Sequence, residues 1–85
     1  MEVYKVFVRG PNEVHGKEQE DFRHVREAKE WIKEMAPSYE EGTLLYIVWE
    51  NERGTSGGVE EIYVIEGGEL RRKTDWVPHT SSGYE

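Results

Sequence analysis

Residues 43–50, Thr-Leu-Leu-Tyr-Ile-Val-Trp-Glu, form the longest apolar run of the chain and restrict its fold more than any other stretch. The run is built from β-branched, aromatic and leucine residues, which suit a pleated strand. On a strand, residues 45, 47 and 49 share one face and 44, 46 and 48 the other, and every one of them is apolar. A strand wet on one side alternates apolar with polar residues. This run therefore predicts a central strand covered on both faces. A chain of 85 residues has room for one core, and a single helix covers only one face of a sheet. What covers the other face is the leading question about function.

The flanking segments supply the rest of the sheet. Residues 2–9 alternate as a first strand, with Tyr4, Val6 and Val8 on one face and Val3, Lys5, Phe7 and Arg9 on the other. Gly10-Pro11-Asn12 stops it, because proline cannot donate to a ladder. Lys17 to Phe22 is expected to be a short second strand, with Arg23-His24 as the turn into a helix. That helix, about residues 25–36, carries Val25, Ala28, Ile32 and Met35 at three- and four-residue spacing, with Trp31 alongside. Pro37 ends it, since the residue before a proline is driven out of helical geometry. After the central strand come a polar, glycine-rich loop, a strand over 59–66, a Gly67-Gly68 hairpin turn and a polar closing strand over 69–74. Trp76 and Val77 are expected to pin the chain to the sheet, with 78–85 as a flexible tail.

The predicted fold class is α+β. One amphipathic helix packs on a mostly antiparallel sheet of four or five strands, in a single domain spanning 1–77.

Composition removes several chemistries. The net charge of −7 argues against direct nucleic-acid binding, where affinity comes from Lys and Arg, and against an anionic membrane surface. The chain has no cysteine, hence no disulfide, no Cys-ligated zinc and no thiol nucleophile. No stretch approaches the ~20 apolar residues that span a bilayer, and the first residues show no signal-peptide core. A cytoplasmic location is expected. Three Trp, five Tyr and two Phe argue for an ordered core despite 34% charged residues.

The usual catalytic residues do not converge. His15, His24 and His79 lack metal-site spacing. No Ser or Thr sits in a nucleophile elbow. Glu40-Glu41 and Glu60-Glu61 read as solvating charge, since strand neighbours point to opposite faces. Gly54-Thr55-Ser56-Gly57-Gly58 joins two strands and opens no helix, so it reads as a hairpin loop and not a phosphate cradle. Arg71-Arg72-Lys73 splits between two faces and suits an edge strand that deters aggregation. No catalytic residue, metal or cofactor is assigned, and the chain is expected not to be an enzyme.

The aromatic residues remain. Tyr4, Tyr46 and Tyr63 each fall near the middle of a predicted strand and are expected to stack across one sheet face if the strands align in the obvious register, with Phe7, Trp49 and Ile65 as the alternatives in other registers. The expected interaction set is Tyr4, Tyr46, Val48, Trp49 and Tyr63, joined by Arg53, Thr55 and Ser56 of the glycine-rich loop. These residues point to a small protein–protein interaction module that uses the helix-free aromatic face for homodimerisation or for gripping another protein. One alternative is an acidic inhibitor of the phage or mobile-element type, its dispersed carboxylates filling a basic nucleic-acid-binding site on a partner protein. A small-ligand binder or enzyme is the remaining alternative, and one sheet with one helix offers few pockets for it.

Overall fold

The computed structural model describes residues 2–73. Strand β1 (Glu2–Arg9) turns into β2 (Lys17–Phe22), and helix α1 (Val25–Met35) follows, extended by a 3-10 turn at Ala36–Ser38. Strands β3 (Leu44–Asn51), β4 (Gly57–Glu66) and β5 (Glu69–Arg72) follow as a meander. All pairings are antiparallel, and the sheet order is β2-β1-β3-β4-β5. The fold is α+β, with the long apolar run at its centre as the sequence requires. The expected anchoring by Trp76 and Val77, the tail 78–85 and His79 lie outside the described residues.

Helix α1 forms where the apolar stripe predicts it. Ala28 and Ile32 are fully buried and meet Val6, Val8, Leu45, Ile47 and Ile65 of the sheet. Val25 and Trp31 pack against the edge of this cluster, as do Phe22 of β2 and Tyr39 beyond the helix. Burial of a side chain such as Ile32 contributes ~1.5–3 kcal/mol, so this single layer accounts for much of the fold's stability. The helix starts without a side-chain cap. His24 is extended (φ −129°, ψ 137°), and its carbonyl accepts the amides of Glu27 (3.1 Å) and Ala28 (3.3 Å). At the other end, Pro37 is absorbed by the 3-10 turn, and the Ser38 hydroxyl donates to the Met35 carbonyl at 2.6 Å.

Gly67 and Gly68 adopt φ of +63° and +76°. This left-handed pair gives the hairpin its tight two-residue turn, a conformation that a Cβ disfavours.

Two bulges set which side chains share a face. Between β1 and β2 the register shifts after Val6, leaving Gln19 as the extra residue. Between β3 and β4 it shifts after Ile47, so that Ile47 pairs with Glu61 and Val48 with Val59, leaving Glu60 as the extra residue. A bulge opposes two residues to one and reverses the alternation beyond it. Simple alternation from Ile65 would put Glu60 beside Ile62 and Val64 on the helix-free face. The bulge brings Val59 there instead.

Candidate functional site: the helix-free sheet face

The pairing register arranges the side chains of the helix-free face in rows across the sheet. Arg9, Leu44, Val64 and Arg71 form the first row. Glu18, Phe7, Tyr46 and Ile62 form the second, and Lys73 extends it, its backbone N–H donating to the Ile62 carbonyl at 2.9 Å. Asp21, Lys5, Val48 and Val59 form the third, and Val3, Glu50 and Gly57 the fourth. The three central strands thus present Phe7, Leu44, Tyr46, Val48, Val59, Ile62 and Val64 as one apolar surface, each side chain half-buried among its neighbours. Among the described residues no helix or strand packs over it. The second cover expected for the central strand is therefore not a regular element of residues 2–73; only the β1–β2 loop reaches this face.

At its centre the Phe7 and Tyr46 rings stack, with centroids 5.4 Å apart and planes 8° from parallel. The loop between β1 and β2 leans on this stack from one side. A Cβ on Gly16 would overlap the Tyr46 hydroxyl, so only glycine allows the loop so close. Beside it Arg9, Val14, His15 and Ile62 help to line a hollow of about 260 Å³. Val14 is 80% exposed at its edge. The Arg9 Nε is buried without a hydrogen-bond partner.

The charged rim has a definite pattern. On the β2 side Lys5 Nζ lies 3.1 Å from Glu50 and 4.0 Å from Glu18. The hydrogen bond to Glu50 raises the Lys5 pKa, and burial opposes that rise only partly. Glu18 is also raised, chiefly by a hydrogen bond with Asp21, then by burial and by repulsion from the same neighbour. The β2 edge therefore carries acid in excess of what Lys5 neutralises. On the β5 side Arg71 lies 3.5 Å from Glu69.

The expected set of interaction residues is divided by this register. Tyr46 and Val48 lie on the helix-free face. Tyr4 pairs with Trp49 and Phe22, and Tyr63 with Leu45 and Arg72, so Tyr4, Trp49 and Tyr63 all lie on the helix side. The three-tyrosine stack does not form. Its place is taken by Phe7 against Tyr46, because β1 meets β3 with residue 7 opposite 46. Arg53, Thr55 and Ser56 occupy the β3–β4 loop, which borders a small hollow shared with Val48, Trp49 and Glu50. Asn51 holds that loop together, its side chain exchanging hydrogen bonds of 3.0 Å with the Thr55 hydroxyl and amide. Leu44, Val59, Ile62 and Val64 are the surface residues that sequence reasoning passed over. Leu44 shares parity with Tyr46 and Val48 and was legible, whereas Val59 joins them only through the bulge.

The two glutamate couples are also corrected. Glu61 is no solvating charge: it is 9% exposed on the helix side. It lies 3.1 Å from Lys29 Nζ of α1 and 3.6 Å from Arg72 Nε of β5, and it accepts the Tyr63 hydroxyl. Burial alone would raise its pKa, but the Tyr63 and Lys29 hydrogen bonds and the charges of Lys29 and Arg72 outweigh it, and the net shift is downward. Tyr63 is pushed far above its ordinary value by burial and by the same carboxylate. Burial also raises the Tyr4 hydroxyl, and the charges of Glu2 and Glu60 add to the effect. Glu41 accepts the amides of Gly67 (2.8 Å) and Gly68 (3.2 Å), which lowers its pKa and ties the β3 approach to the β4–β5 turn. Both carboxylates are structural ties.

Among the described residues no helix is long and apolar enough to cross a membrane, and no group of His, Asp and Glu gathers as a metal site. The fold and its surface define a small α+β protein with one open, apolar sheet face. Comparison with known proteins adds no relative: no family model, no curated protein and no solved structure matches the chain.

Proposed function

We propose that this protein is a non-enzymatic interaction module whose helix-free sheet face binds another protein chain. One observation carries the proposal: Phe7, Leu44, Tyr46, Val48, Val59, Ile62 and Val64 form a continuous apolar surface with a charged rim. Contiguous exposed apolar patches with polar margins mark interaction sites on soluble domains. The Phe7–Tyr46 stack at its centre is the aromatic anchor on which interface energy concentrates.

A photo-crosslinking amino acid placed at Ile62, on this face, and separately at Glu34, an exposed helix position, tests the proposal in cells. A discrete adduct from position 62 and none from position 34 is expected. No adduct from 62, or equal adducts from both, refutes it.

The edge strand β2 favours one second reading, because its Glu18, Glu20 and Asp21 are all exposed. Such an acidic edge suits a basic groove on a partner. Binding by that route falls steeply with added salt, whereas binding through the apolar face does not.

A further inference from the structure

Building on the interaction surface above, we infer that its occupant is a second copy of this chain, docked face to face about a two-fold axis running along β3. The pattern of the face is self-complementary under that operation. Strand β3 is the middle strand of the order β2-β1-β3-β4-β5, so the axis exchanges β1 with β4 and β2 with β5. Leu44, Tyr46 and Val48 then meet their own counterparts. Phe7 of β1 comes over Ile62 of β4, since both lie in the Tyr46 row. Apolar meets apolar along β3 and where Phe7 crosses Ile62, while Lys5, held by Glu50, comes over Val59.

The rim matches as well. Glu18 on the acidic edge comes over the other copy's Lys73, with Arg71 one row along and 3.5 Å from its own Glu69. Arg9 comes over Val64, with the exposed Glu66 next along that face of β4. Glu50 approaches the axis at its far end, where Lys5 at 3.1 Å already neutralises it. A like-charge clash is thereby avoided. Isologous contacts of this kind close on themselves and stop at two copies, and sheets stacked with nearly aligned strands are a standard packing.

The area is sufficient. Five strands about 4.8 Å apart and eight residues rising about 3.3 Å each give a footprint of roughly 500 Å². Two copies bury about 1,000 Å² in total, at the lower limit for a specific interface. The dimer is therefore expected to be reversible.

Sedimentation velocity across a wide concentration range tests the inference on the full chain, with circular dichroism confirming that each variant is folded. Wild type is expected to pass from 10.0 kDa to twice that mass. Glu18→Lys and Lys73→Glu are each expected to weaken the dimer about tenfold, because two symmetric ion pairs become repulsive. An equimolar mixture of the two variants recovers near wild-type affinity, since each heterodimer pairs Lys with Glu at both sites. Wild type that stays monomeric to its solubility limit overturns the inference, as does a mixture no tighter than its components. The crosslink at position 62 separates the two levels. An adduct whose mass differs from a doubled chain removes the second copy and keeps the interaction surface, while no adduct removes both.

Discussion

Replacing Glu61 by Gln removes one charge from a site that burial has made expensive to leave unpaired. The side chain is only 12% exposed, with Lys29 Nζ at 3.1 Å and Arg72 Nε at 3.6 Å. Glutamine keeps the shape and can still accept the Tyr63 hydroxyl, so the loss falls on the two charge-assisted contacts. A hydrogen bond to a charged group is worth about 1.5–3 kcal/mol when shielded. Lys29 and Arg72 are 38% and 63% exposed, so water screens both, Arg72 more strongly. Together the contacts give an expected loss of about 1–2 kcal/mol at neutral pH, which lowers the melting temperature of a domain this size by roughly 5–15 °C.

The pH dependence has a definite sign. The folded-state pKa of Glu61 is lowered, so the unfolded chain takes up the proton first as pH falls. The stabilisation is complete above the unfolded value of about 4.3 and is lost as pH drops through the lower folded value. Urea titrations followed by tryptophan fluorescence, from neutral pH into the acid range, measure both. The gap between wild type and variant is expected to be constant near neutrality and to close in acid. Equal stabilities at neutral pH, or a gap that persists undiminished in acid, refutes the assignment of Glu61 as a charged tie between helix and sheet. Glu41, also lowered in pKa, titrates in both proteins and cancels from the difference.

Other perturbations separate the core from the open face. Ile32→Ala empties a fully buried position between α1 and the sheet and is expected to cost about 2–5 kcal/mol in chemical denaturation. Gly16→Ala forces the β1–β2 loop off the Tyr46 hydroxyl and is expected to destabilise the fold by about 1–3 kcal/mol; adding Tyr46→Phe recovers part of that loss in a double-mutant cycle. Glu41→Ala frees the Gly67 and Gly68 amides, and hydrogen exchange by NMR is expected to quicken at those two positions while Val6 and Ile47 stay protected.

Much of the fold is written in local periodicity. The three- and four-residue spacing of Val25, Ala28 and Ile32 defines a helix face before any partner is known. The unbroken apolar run through Leu45 and Ile47 demands a central strand, and Gly67-Gly68 demands a tight turn. Each follows from the geometry of a few consecutive residues. The composition of the open sheet face does not, because it depends on which residues meet across strands. One extra residue at Glu60 decides that Val59 joins Ile62 and Val64. The β1–β3 register decides that Phe7, and not Tyr4, lies against Tyr46. The fate of a carboxylate is equally non-local. Glu60 and Glu61 are alike as neighbours in sequence, but only Glu61 is met by Lys29 from the helix and Arg72 from the edge strand. Those contacts exist only once the layers have packed, since a charge is worth burying only where opposite charges are already held in place.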